Sequence, residues 1–235
     1  MSAAPATSAE AITLVVQGCR ALWAAGQADM IWGHCAVRDP EGRGVWMKSS
    51  GWGFEEVGPE HVVLVSPVGD VLHGTGRRHI EYPIHTEIMA HRGDADAVVH
   101  THSDAANAFC ALDVPLRPLD HAGCLFSYPN IPRFTLTGGL IRSRELGRAL
   151  ADTLASAPAC LLPQHGLVAA GPDLPTAVMT AVLLGRACRT QLTAMAAGPL
   201  ARWGSEEDTL AKRTIWDPSQ LRAGWDYLLR TNVGI

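Results

Sequence analysis

The sequence predicts an α/β fold in which a mixed sheet is covered by helices. Three observations carry that expectation. Apolar residues fill 47% of the 235 positions, enough for a substantial core. Short apolar runs border the turn segments Asp39-Pro40-Glu41-Gly42 and Pro67-Val68-Gly69-Asp70, the pattern of hairpins. Strands and helices then intermix without the strict alternation that a doubly wound parallel sheet requires.

Taken in order, Thr7 and Glu10 form a capping-box pattern ahead of Ile12, Val15, Val16, Cys19, Leu22 and Trp23, with Gly26 as the stop. Val37 and Val45 to Met47 flank the first turn, and Val62 to Val65 precede the second. Pro83 opens a helix through Arg92, as proline suits a first turn. Ala97 to His100 reads as a buried strand, followed by a helix capped by Ser103 and Asp104 and running to about Leu112. Ser143 caps a further helix to about Ala155. Ala159–Leu162 and Leu167–Ala170 read as a strand pair, a long Ala/Leu helix begins near Pro175, and one or two helices close the chain.

With 19 basic against 23 acidic residues the net charge is −4, which argues against a nucleic-acid surface. No uncharged apolar run reaches the ~18 residues of a membrane span. Met1 to Glu10 lacks the basic start and apolar core of a signal peptide. Residues 1–7 are expected to form a flexible tail and residues 8–235 a single domain, since no repeat or linker interrupts them. The six cysteines form no C-x-x-C pair and sit in apolar neighbourhoods, which predicts buried free thiols and a reducing, cytoplasmic setting.

Three segments carry chemistry. In Val98-Val99-His100-Thr101-His102, alternate strand residues share a face, so His100 and His102 can offer two imidazoles to one point; a chance pair on a solvated strand is the plainer account. In Gln164-His165-Gly166 the glycine permits a sharp turn or close backbone approach, although a histidine at a strand end is commonly structural. The segment Arg77 to Glu87 offers two carboxylates. Glu87 could pair with His91 on one helix face, and Glu81 sits just before the helix where it could reach a metal or act as a base. Spacing alone leaves that choice open.

These segments together resemble the class II aldolase/adducin family of the fuculose-phosphate aldolase type. The resemblance covers about residues 8–200. Its anchors are Gly33-His34-Cys35-Ala36-Val37-Arg38, Ser50-Gly51, Glu81 with Pro83 and His85, Ala97 to His102, and Gln164-His165-Gly166-Leu167-Val168. It implies a three-layer α/β/α sandwich around a mixed, largely antiparallel sheet, a divalent metal held by His100, His102 and His165, and Glu81 as the acid/base carboxylate. Glu87 then becomes an ordinary helix residue. The resemblance also implies a homotetramer with active sites at subunit interfaces. The second acid, a partner-subunit tyrosine in some family aldolases, cannot be matched; Tyr82, Tyr128 and Tyr227 are the tyrosines of this chain. Three imidazoles favour Zn2+, with Mn2+, Co2+ and Fe2+ also compatible.

The sequence departs from the family's phosphosugar pattern. Of three small phosphate-binding elements only Ser50-Gly51 survives; the others read Trp32-Gly33-His34 and His79-Ile80. In their place stand His34, Arg77, Arg78 and His79, with His85 close by in sequence, suited to a carboxylate. A solvated Arg77-Arg78 turn and a core Trp52 are the plainer account. Some family members with similar departures decarboxylate hydroxylated aromatic or heteroaromatic acids, so the resemblance points to a lyase acting on a small non-phosphorylated carboxylate, with a dihydroxyphthalate-type acid as the specific expectation. The alternative is an aldolase or retro-aldolase on a non-phosphorylated hydroxy-keto acid or sugar. Iron-dependent oxygenase chemistry and an adducin-like role in assembly are further readings. His61, His73, His91 and His121 are expected to be structural.

Overall fold

The computed structural model describes residues 5–231, so most of the predicted tail lies outside the described residues. Pro5 is buried, Thr7 accepts a hydrogen bond from the Glu10 amide, and the Glu10 carboxylate accepts one from the Ala6 amide. These contacts start α1 (Ser8–Ala24). There follow β1 (His34–Arg38), β2 (Val45–Lys48), β3 (Val62–Val65), β4 (Val71–His73), α2 (Tyr82–His91), β5 (Ala97–Thr101), α3 (Asp104–Cys110) and α4 (Arg144–Leu154). The chain closes with β6 (Ala159–Leu162), β7 (Gly166–Gly171), α5 (Leu174–Ala197), α6 (Glu206–Arg213) and α7 (Pro218–Thr231). No helix among the described residues is long and apolar enough to cross a membrane.

The seven strands form one sheet in the order β4-β3-β2-β1-β5-β7-β6. Every pairing between these strands is antiparallel, and the one parallel link among the described residues is the isolated bridge between Arg133 and Leu161. Both expected hairpins form, β1–β2 and β3–β4.

Strand alternation divides the core in two. Cys35, Val37, Trp46, Val62, Leu64, Ala97, Val99, Leu161, Leu167 and Ala169 pack with α1, α3, α5 and α7 on one face. Ala36, Val45, Met47, Val63, Val98, Leu162, Val168 and Ala170 pack with α2 and α4 on the other. The result is the expected α/β/α sandwich, with period-two side chains feeding two helical layers. All six cysteines are free and buried.

Local departures from the sequence expectation have physical causes. Ser103 precedes α3, but its hydroxyl makes no capping bond, and the helix stops at Cys110 rather than Leu112. Glu87 and His91 do not pair. Glu87 is buried and bonded to Arg144 at 2.5 Å, whereas His91 meets Asp152 at 2.9 Å, because α4 packs along α2 and supplies both partners.

Candidate metal centre

The register of β1 and β5 aligns His34 opposite His100. Both lie two residues from positions that face α2 and α4, Ala36 and Val98, so both imidazoles project to that side of the sheet. Their ring centroids are 5.0 Å apart. His102 follows two residues after His100, just past the end of β5, and His165 sits in the tight connection between β6 and β7. That connection explains Gly166: a Cβ there would collide with the Thr101 carbonyl and crowd the His102 ring. The preceding Gln164 adopts φ +65° to complete the turn.

Glu81 stands at the N-terminal boundary of α2. Ligand atoms of Glu81, His100, His102 and His165 all lie within 4.8 Å of one another. One Glu81 oxygen is 3.4 Å from His165 Nε2 and accepts a hydrogen bond from the Ile141 amide at 2.7 Å; the other is 3.8 Å from His100 Nε2. Burial pushes the Glu81 carboxyl upward, but the neighbouring imidazoles of His165 and His100 and the hydrogen bond from the Ile141 amide outweigh it and bring the pKa down to about 2.

The donor set fits a cation. His100 Nδ1 is 2.9 Å from the Leu167 carbonyl and must donate to it, which leaves Nε2 as a lone pair. His102 Nδ1 is 2.9 Å from an Asp29 carboxylate oxygen and donates likewise. The two Nε2 atoms then face each other at 3.1 Å, an arrangement that an ion or a proton between them relieves. His165 is buried with neither ring nitrogen hydrogen-bonded. Burial holds His100 well below the ordinary histidine range, so it stays a neutral donor.

A cleft of about 360 Å3 reaches this cluster through Glu81 and His102. Ile31, Trp32, Ile80 and Leu140 form its apolar walls, while His34, Ser50, Arg77, Arg78 and His79 supply polar lining. The other expected substrate contacts lie elsewhere. His85 is fully buried, with Nε2 2.6 Å from His34 Nδ1, so it supports His34 from behind. Gly51 is exposed at φ +99° and does not line the cleft. Arg78 donates to the Gly69 carbonyl and lies over the Tyr82 ring at 4.3 Å, so its guanidinium is largely engaged. Trp52 stacks on His61 and Phe54 is fully buried. Burial lowers His79 and His85 to about 3 and His34 well below its usual range.

Two residues that sequence reasoning passed over bear on the site. Asp29 holds His102, as described. Lys48, fully buried at the end of β2, donates to the carbonyls of Ile31 and Trp52 and thereby ties two loops beside the cleft. A lysine inside an apolar strand was the available signal for the second, since such a charge needs carbonyl or carboxylate partners.

The model of the class II aldolase and adducin N-terminal domain family matches residues 13–192. The chain belongs to this family. Among its curated relatives, the decarboxylase NovR of Streptomyces niveus is 33% identical over 173 residues, 72% of this chain and 64% of NovR. The chain thus spans less than two thirds of that relative's length. The 3,4-dihydroxyphthalate decarboxylase of Arthrobacter keyseri is 29% identical over 205 residues, 83% of this chain and 82% of the relative. In three dimensions, an L-fuculose 1-phosphate aldolase from Glaciozyma antarctica PI12 superimposes with a TM-score of 0.84 at 26% identity, over 99% of this chain and 93% of that one. These class II aldolase relatives are decarboxylases and an aldolase, all lyases.

Proposed function

We propose that this chain is a divalent-metal-dependent carbon–carbon lyase that decarboxylates a hydroxylated aromatic carboxylic acid of dihydroxyphthalate type. The observation that carries the reading is the chemistry of the cleft beside the histidine–glutamate cluster. Its walls are Ile31, Trp32, Ile80 and Leu140, and Arg77, held through its backbone carbonyl by the Ser50 amide, lines it with a side chain that makes no hydrogen bond or ion pair among the described residues. Apolar walls that include the planar Trp32 suit a ring, and a free guanidinium suits a carboxylate. The bulk of Trp32, His79 and Ile80 disfavours a phosphate, which needs close approach to backbone donors.

His100, His102 and His165 would hold the metal, and their imidazoles favour Zn2+ over Mn2+, Co2+ or Fe2+. When bound, a divalent ion supplies Lewis-acid polarisation of a substrate oxygen. The Glu81 carboxylate accepts the proton of the substrate hydroxyl next to the carboxylate-bearing carbon and returns it to that carbon. The carbon–carbon bond then breaks, its electron pair stays with the ring, CO2 departs, and water reprotonates the product phenolate. The walls orient the ring so that this carbon faces Glu81. Arg77 pairs with a carboxylate of the acid, and His34, Ser50, Arg78 and His79 complete the contact surface. Gly51 leaves the Ser50 turn room to approach substrate, and His85 fixes His34.

The same reading includes a homo-oligomer, tetrameric with interface sites. Its support is the exposed apolar group beside the cleft, Met30 at 66%, Trp32 at 49%, Ile80 at 52% and Leu140 at 50%. Six buried free thiols support a reducing, cytoplasmic setting, and residues 8–235 act as one catalytic domain.

The test is turnover by purified protein loaded with each candidate metal, offered hydroxy-aromatic diacids and hydroxy-keto acids, with both CO2 and aldehyde measured. CO2 release from an ortho-hydroxy aromatic acid is expected. An aldehyde without CO2 would shift the assignment to the aldolase alternative, and strict dependence on O2 to an iron oxygenase.

A further inference from the structure

The three imidazoles of the cluster are not held alike. His100 Nδ1 donates to a neutral acceptor, the Leu167 carbonyl, at 2.9 Å. His165 has no hydrogen-bonded ring nitrogen. His102 alone donates to a charged acceptor, an Asp29 carboxylate oxygen at 2.9 Å. Asp29 comes from a distant part of the chain, 73 positions before His102. It sits in a tight turn in which the Trp32 amide donates to the Asp29 carbonyl and Met30 adopts φ +47°. The next residue, Ile31, is pinned through its carbonyl by buried Lys48. The turn is therefore fixed at both ends, and the carboxylate it presents is aimed at one nitrogen of one histidine.

Asp29 does not line the cleft that contains Glu81. It borders a neighbouring hollow together with Asn107, Gln164 and His165. That hollow shares Trp32, His102 and Leu140 with the cleft, and the Asp29 carboxylate meets the Nδ1 edge of His102, so it acts on the site through that ring. A carboxylate at Nδ1 fixes the tautomer that leaves Nε2 as the donor, stops the ring from turning, and raises the basicity of that donor.

We propose that Asp29 is the positioning residue of the centre: it orients and polarises His102, making it the tightest-holding of the three ligands. The proposal rests on the reading that the cluster holds a metal ion. The Asp29 side chain is about a third exposed, so its substitution is expected to leave the metal-free protein folded.

The experiment titrates Zn2+ into the metal-free full chain against a chromogenic chelator, for wild type, Asp29→Ala and Asp29→Asn. Asp29→Ala is expected to weaken Zn2+ binding about 10–100-fold, and Asp29→Asn, which retains an oxygen acceptor without the charge, to recover part of the loss. Metal-free melting temperatures stay at the wild-type value in both. As a readout independent of metal, imidazole 15N shifts of the metal-free protein should show His102 protonated at Nδ1 in wild type and a tautomer mixture in Asp29→Ala. Zn2+ affinity within twofold of wild type for Asp29→Ala, with an unchanged His102 tautomer, overturns the proposal. So does a Zn2+ loss that is equal in both variants and matched by a fall in metal-free melting temperature. A wild-type protein that binds no Zn2+ instead overturns the reading of the cluster itself, and this proposal with it.

Discussion

β1 and β5 lie side by side, and their two ends are built by opposite rules. At one end Arg38 donates to the Asp96 carboxylate at 2.6 Å and to the carbonyls of Met89, Arg92 and Ala95, closing the C-terminus of α2. Next to it, Asp39 takes the Arg43 guanidinium and the Trp46 indole. At the other end stand His34 and His100, with His165, His79 and His85 around them, and buried ring nitrogens of these last three lack partners. The same helix, α2, runs from Glu81 in the second group to Arg38's carbonyls in the first. The contrast teaches where this sheet stores unsatisfied polar capacity. An end that serves structure saturates its donors and acceptors, while lone pairs left converging on one point are ready for a ligand.

The sharpest way to break that comparison is His100→Ala. It should remove most bound metal and nearly all turnover while the fold persists, checked by metal analysis and far-ultraviolet circular dichroism. Retained metal would show that the converging lone pairs are not what binds it. Next in size, Glu81→Gln should keep the metal but lower kcat about 10²–10⁴-fold, the usual worth of a positioned acid/base group. Loss of the metal as well would make Glu81 a ligand first.

At the saturated end the effect belongs to stability instead. Arg38→Ala is expected to cost about 1–3 kcal/mol in urea unfolding, since it strips several carbonyls of a charged donor, with metal content per folded subunit unchanged. Smaller again, the two ends should titrate apart in the metal-free protein. His85 titrates near 3 because it is buried, below its value of 6.5 in an open chain. The unfolded chain therefore binds the extra proton between those values, and stability falls as pH drops through that window, by up to about 1.4 kcal/mol per unit for the residue. Asp39 is brought from 3.8 to about 2 chiefly by hydrogen bonds from Arg43. Its contribution is full above 3.8 and is lost only as pH falls through that lower range. Urea midpoints between pH 7 and 3 for wild type and His85→Met test this: the slope should be shallower in the variant, with little change between pH 7 and 8.

Much of the architecture was legible locally. The capping pattern at Thr7, the two hairpin turns and the alternation within Ala97–His102 each depend on neighbours a few residues away, and the helices and strands form where those signals stand. Ser103 misled because a cap is a hydrogen bond, not a residue type, and its hydroxyl makes none. Glu87 and His91 misled for a similar reason: their spacing permits a pair, but Arg144 and Asp152 on α4 compete for them. His85 and Gly51 follow the family pattern without reaching the cleft, which sequence adjacency to the site could not reveal.

Local sequence was enough to set His100 and His102 two positions apart where β5 ends, a glycine after His165, and a carboxylate at the start of the helix at Glu81. Periodicity and backbone freedom are local properties, and they specify such facts without knowledge of the rest of the chain. The tertiary structure alone decided which partners make those residues a centre. It brought Asp29 to His102 across 73 positions, the Ile141 amide to Glu81 across 60, and Leu167 to His100 across 67. Contacts over such separations exist only once the strands have paired and the loops have packed beside them, because residues so far apart in sequence meet only through long-range packing.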